Sequence, residues 1–208
     1  MSDYKRQLED LAEIRSLMEE SSRFMSLSGL SGVGAGLVAI VGAVGTYLYL
    51  DREDIYGMLS KRSYVVRMDQ LWTLVGIAIL ILVLAIAVAT FFTLRNARRK
   101  EAQLWTKASR RLAWNLAIPL IAGAIFCVEL ALWGVGGMVA PATLIFYGMG
   151  LLNAGKYTLG EIRYLGMSQI GVGLVAAWFP GYGLICWMIG FGVLHILYGI
   201  VMYLRHER

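Results

Sequence analysis

Charge is what this chain has least of. Of its 208 residues only 16% are charged, while 58% are hydrophobic. A soluble domain of this size has too high a surface-to-volume ratio to hide that much apolar side chain, so a soluble globular fold is excluded. Cysteine is scarce too. Cys127 and Cys186 both fall in apolar runs, with no C-x-x-C pair and no zinc spacing, and they read as buried thiols. Of the two histidines, His206 lies in the tail, which excludes a bis-histidine haem site within the bilayer. Gly32, Gly34 and Gly36 do not spell G-x-G-x-x-G and follow no strand, so they form no nucleotide fingerprint. Walker, H-E-x-x-H and G-x-S-x-G motifs and an acidic cluster for metal ions are also missing. The expectation is a non-enzymatic protein with no cofactor and no metal. The first 25 residues lack a short apolar core and a small-residue cleavage site, so no signal peptide is expected.

Long apolar stretches dominate what is present. Six run over roughly 30–50, 71–94, 112–133, 137–156, 164–180 and 183–204, each near the ~20 residues a bilayer core requires; the fifth is the shortest. Their length and lack of apolar–polar alternation predict helices rather than barrel strands. The expected fold is therefore all-α: six transmembrane helices in a bundle, residues 28–208. Residues 1–27 precede it as a cytoplasmic amphipathic helix and a Ser-rich joint. In that helix, over residues 3–25, Tyr4, Leu8, Leu11, Ile14 and Met18 share one face. Arg6–Asp10, Arg15–Glu19 and Glu19–Arg23 are opposite charges four apart. With six acids against four bases, this segment suits a protein partner better than anionic headgroups.

The net charge is +5, but the basic residues flank the apolar segments, which fits lipid headgroups and not nucleic acid. Residues 95–111 hold seven Lys and Arg against Glu101 alone. With both termini cytoplasmic, fifteen Lys and Arg fall inside and four, Arg52, Lys61, Arg62 and Arg67, fall outside. That is the orientation the positive-inside rule favours. Trp72, Trp133, Trp178, Tyr182 and Trp187 would mark the outer boundary, and Trp114, Tyr157, Tyr164 and Tyr203 the inner one. Residues 31–39 (SGVGAGLVA) and 168–176 (SQIGVGLVA) agree at six of nine positions, a hint of a duplicated hairpin.

Polar residues inside a bilayer are costly, so each is a candidate site. In the third segment Asn115, Pro119, Ala122 and Glu129 fall on one face. Pro119 takes the usual donor from the Asn115 carbonyl and predicts a kink. A freed carbonyl beside an amide resembles a coordinating element of a transporter helix. His195 lies near mid-depth with Gly192 and Gly199 on its face, a pattern of close helix approach around a bonded ring. Asn115, Asn153, Gln169 and His195 share the cytoplasmic half, so together they would form an inner-half polar pocket. Gly32 and Gly36 form a G-x-x-x-G, and Gly173 with Ala177 a weaker version; these allow tight packing within the chain or between copies, hence a homo-oligomer.

The runs MVAPATLIFYGMGLLNAGKYTLGEIR (138–163), FPGYGLICWMIGFGVLHILYGIVMYLR (179–205) and EIRSLMEESSRFMSLSGLSG (13–32) resemble a family of small, uncharacterised six-helix inner-membrane proteins of bacteria. Phe179–Pro180–Gly181 is also similar to the Pro-Gly turns of HdeD-type acid-resistance membrane proteins. The resemblance implies a bacterial inner-membrane location and supplies no catalytic residues. Two functions follow from the residues. The first is a scaffold or regulatory protein that binds a partner through residues 3–25. The second is a small transporter or channel for protons, ions or a small solute, using the Pro-kinked third helix and the polar pocket.

Overall fold

The computed structural model describes residues 28–51, 68–101 and 105–207. The amphipathic helix expected over 3–25 and most of the loop 51–70 lie outside the described residues. Among the described residues six long helices make up the fold: α1 (Gly29–Asp51), α2 (Met68–Arg99), α3 (Lys107–Leu132), α4 (Val139–Ala154), α5 (Glu161–Trp178) and α6 (Gly183–His206). Among the described residues there is no strand.

Several boundaries fall outside the apolar segments because local chemistry sets them. The α3 helix begins at Lys107, not near 112, through a reciprocal cap. The Ser109 backbone N–H donates to Thr106 Oγ1 at 3.1 Å, and the Thr106 N–H donates to Ser109 Oγ at 2.9 Å. The α2 helix runs on to Arg98 and Arg99, whose charges complement the helix C-terminus. At the end of α3, Gly134 takes a φ of +74°. The Val135 N–H then reaches back to the Leu130 carbonyl at 2.8 Å, as a left-handed glycine cap allows. The α3 helix continues through Pro119.

Five of the helices are long and apolar enough to cross a membrane. The exception is α5, with 18 residues carrying Glu161, Arg163 and Gln169. It nevertheless traverses the bundle, because its start meets the end of α6 and its own end leads, through Pro180–Tyr182, to the start of α6.

The helices are not packed evenly. The α1 helix lies against α2 and α6, α5 against α4 and α6, and α3 against α4. The outer helices α2 and α3 therefore leave most of their apolar surface bare. Ile79, Leu82, Ile86, Ile118, Ile125 and Val128 are all exposed, as suits side chains facing lipid. Trp72, Trp133 and Trp178 are exposed at one end of the bundle, and Trp105, Trp114 and Tyr164 at the other, in the manner of interfacial belts.

The inner contacts are made by glycines. A Cβ on Gly199 would stand 2.6 Å from the Gly29 carbonyl oxygen and 2.7 Å from the Val33 nitrogen, and one on Gly36 would stand 2.7 Å from the Gly192 carbonyl. Gly32 meets the His195 carbonyl and Gly199. Thus Gly32, Gly36, Gly192 and Gly199 bring the α1 and α6 backbones together within one chain. Gly173 sits against Leu144 and Ile145, and Gly148 and Gly166 face each other's carbonyls, at the α4–α5 contact.

A polar clasp closes one end. Ser28 Oγ donates to Glu207 Oε2 at 3.0 Å, and the Gly29 N–H donates to Glu207 Oε1, so a carboxylate from beyond α6 caps the start of α1. Lys100 Nζ, after α2, donates to the His206 carbonyl at 3.1 Å. Arg205 Nη1 reaches Glu161 Oε1 at 3.1 Å, and His206 Nε2 faces the same oxygen at 3.3 Å. The starts of α1 and α5 and the ends of α2 and α6 therefore share one end. The helices α1 and α5, which carry the 31–39 and 168–176 sequences, run in the same direction.

Partial removal from water pushes the Glu161 carboxyl upward. Hydrogen bonds from its own backbone N–H, Arg205 and His206 outweigh that and hold it below the ordinary value of 4.5. Its contribution is thus present above that value and is lost as pH falls through the lowered one. Because Arg205 is largely exposed, the effect is small: acidification below the carboxylate range should lower the wild-type thermal midpoint slightly more than that of Glu161→Gln. Packing carries more. Gly199→Ala, which presses on backbone, should cost about 1–3 kcal/mol, a fall of roughly 2–10 °C in midpoint. Gly76→Ala, whose Cβ meets nothing within 4 Å, should be neutral or stabilising by up to about 1 kcal/mol. Thermal unfolding in neutral detergent checks all three.

Candidate functional site

The interior polar site is built on an irregularity of α6. Between Met188 and Leu194 (MIGFGVL) the helix widens to a π turn, a form found mostly as single-turn insertions and frequently at functional sites. There the Gly190 carbonyl accepts from Gln169 Nε2 of α5 at 2.8 Å and lies 3.1 Å from His195 Nδ1. On the ring's far side, His195 Nε2 is 2.9 Å from the Tyr147 hydroxyl of α4.

The tautomer follows from the partners. A carbonyl can only accept, so Nδ1 carries the proton and Nε2 accepts from the Tyr147 O–H. The 3.3 Å approach of Gln169 Nε2 to Nδ1 is then two donors converging on one carbonyl. Gln169 is fully buried, His195 nearly so, and Gln169 Oε1 has no hydrogen-bond partner among the described residues. A Cβ at position 190 would lie 2.3 Å from Leu144 Cδ2 and 2.5 Å from Gln169 Oε1, so alanine there requires both side-chain ends to move. The imidazole also stacks against both Tyr147 and Phe191, with ring centroids 5.4 and 5.9 Å away, and those two rings touch each other at 5.0 Å, so the three form a triangular cluster.

The six candidate polar residues do not share one pocket. Gln169 and His195 meet. Asn115 instead donates from Nδ2 to the Arg111 carbonyl, 2.8 Å away and one turn earlier in α3, a local bond that short polar side chains readily make in helices. Glu129 is exposed and accepts from Trp133 Nε1 at 3.3 Å. Among the described residues their helix packs chiefly on α4, and neither side chain bonds to Gln169 or His195. Asn153 is half-buried in the last turn of α4 and makes no hydrogen bond to Gln169 or His195.

Sequence reasoning missed Tyr147, Gly190 and the clasp. Tyr147 had a signal: a tyrosine in the middle of an apolar segment needs a partner for its hydroxyl. Glu207 had none, since its partner Gly29 is 178 positions away.

Chemically, the site is a closed hydrogen-bonded relay from a phenol through a neutral imidazole to a backbone carbonyl. Ser168, the nearest hydroxyl in sequence to Gln169, faces the Tyr198 hydroxyl at 3.3 Å and not the imidazole, so no Ser–His nucleophile pair is formed. Among the described residues no three His, Cys, Asp or Glu side chains gather to hold a metal.

Six packed helices, five of them able to cross a membrane, define an integral multi-pass α-helical membrane protein. Residues 31–158, more than half of the chain, match the model of the TMEM128 protein family, and the chain belongs to that family. The match covers α1 to α4 and stops before α5 and α6, which supply Gln169, Gly190 and His195. No curated protein and no solved structure matches the chain.

Tyr147→Phe keeps the ring stack and removes one buried hydrogen bond. It should cost about 0.6 kcal/mol, the average for such bonds between membrane helices. His195→Ala removes the ring packed against Tyr147 and Phe191 and leaves the hydroxyl unpaired, at a cost of about 2–4 kcal/mol. Thermal midpoints of the two variants against wild type check the order.

Proposed function

We propose that the protein is a non-enzymatic integral membrane scaffold, or regulatory protein, that presents a partner-binding surface at its clasp end. The carrying observation is how its interior polar groups are used. Tyr147, His195 and Gln169 bond to one another or to a backbone carbonyl, and Glu207, Lys100 and Glu161 tie helix ends together. Such groups hold a bundle in one shape. A conduit needs polar lining along a path, and Asn115 and Glu129 stand apart from the interior pair.

The excess of Lys and Arg at the clasp end supports placing both termini in the cytoplasm. The resemblance to small inner-membrane proteins supports a bacterial inner membrane. The salt-bridged segment 3–25 is the proposed contact for a cytoplasmic or membrane partner. Gly32 and Gly36 are occupied by α6, so association between copies would use another face, and the bare flanks of α2 and α3 are available for it.

A second reading, a small transporter of protons, ions or a small solute, is favoured by one feature: a π turn beside a buried histidine and an unpartnered amide oxygen. Two measurements separate the readings. Affinity purification with and without residues 1–25 should recover a protein partner only with the segment; identical recoveries would sink the scaffold reading. Liposomes holding the purified protein should show no proton or cation flux above empty vesicles. Flux that disappears in His195→Ala would establish transport instead.

A further inference from the structure

We propose that the outward face of the last two turns of α2 is a binding site for an anionic phospholipid. Three guanidinium groups, Arg95, Arg98 and Arg99, stand exposed there, while Asn96 and Ala97 between them are buried at 7% and 1% exposure. The bundle therefore lies on one side of these turns and the arginines on the other. At 1.5 Å of rise per residue, Arg95 and Arg99 are about 6 Å apart along the axis, close enough to converge on one headgroup. Arginine forks match phosphate oxygens two at a time. No acid among the described residues forms an ion pair with any of the three; the ion pairs there go to Glu161.

The second half of the recognition is apolar. Phe91 and Leu94, one turn earlier and toward the hydrophobic middle of the helix, are exposed at 61% and 38% and line the same shallow cleft as the three arginines. A ligand filling it presents phosphate to the arginines and hydrocarbon to Phe91 and Leu94, in that order along α2. Free phosphate lacks the hydrocarbon part, and an acidic peptide has no reason to extend into the bilayer. Because α2 packs on α1, the opposite side of these turns is open among the described residues, and a phospholipid arriving by lateral diffusion meets it there.

The test uses the full-length protein in neutral detergent, with bound lipid read by native mass spectrometry. Phosphatidylcholine, phosphatidylserine and a bis-phosphorylated phosphatidylinositol are titrated in turn, with inorganic phosphate as competitor. The expected order of affinity follows headgroup charge, and binding weakens as salt rises. R95Q/R98Q/R99Q should lower affinity for the anionic lipids on the order of 100-fold, each basic residue near the surface contributing about a factor of 5–10. K107Q/R110Q/R111Q on α3 should change it less than threefold or so. The side chains altered in α2 are exposed, so the thermal midpoint should hold; if the triple variant does not fold, R98Q alone should still lower affinity several-fold. The proposal is overturned by equal binding of phosphatidylcholine, by unchanged affinity in R95Q/R98Q/R99Q, by displacement with inorganic phosphate at lipid-like concentrations, or by an acidic polypeptide binding the arginines in preference to lipid.

Discussion

The closest approach in this molecule is backbone to backbone. Where α1 crosses α6, Gly29, Gly32 and Gly36 meet the backbone of Gly192, His195 and Gly199. Lipid tails are as apolar as leucine, so no hydrophobic force draws such helices together, and association rests on dispersion and short polar contacts. Both grow steeply as the axes close. Glycine at these positions is therefore a condition for the bundle. It fixes where α6 stands, and α6 in turn carries His195, the π turn and the residues of the clasp.

A parallel contact governs the other half. Gly148 and Gly166 face each other across α4 and α5, and Gly173 lets Ile145 approach. With α1, α4, α5 and α6 drawn in this way, Gln169 and His195 are enclosed in the core beside the Gly190 carbonyl. Gln169 and His195 are tolerated there because the π turn turns a carbonyl toward them. Among the described residues the outer helices pack mainly on one neighbour each, α2 on α1 and α3 on α4, and owe their apolar surface to the solvent they face.

Much of this was legible in the sequence. Six apolar runs gave six helices. The glycines at 32, 36, 192 and 199 mark contact faces because each keeps helical spacing with the next. The positions of Gln169 and His195 along their segments put them at similar depth, and in the fold they meet. Facing was not legible. Asn115, Pro119 and Glu129 share a stripe of α3, but a stripe does not say which way it points, and neither Asn115 nor Glu129 bonds to Gln169 or His195. Nor could spacing reveal the π turn, since one extra residue in a turn leaves no compositional mark beyond Gly190 and Gly192. The fifth helix shows a different limit. Its charged first turn weakens its hydropathy, yet those charges are what anchor it, through Glu161, to Arg205.

The carboxylate of Glu207 satisfies amide and hydroxyl groups that were synthesised 178 and 179 positions earlier. A chain inserted into a membrane in order, from one end, reaches the lipid with α1 first. Its glycine stripe and its uncapped start then stand without their native mates while four further helices are laid down. Completion comes when the sixth helix docks on the first, while α2 and α3, made in between, stay on the outside of the bundle. Such a closure is long in contact order and correspondingly slow, and until it happens the open flank of α1 is the part of the newborn molecule that an insertion factor or chaperone has to shield.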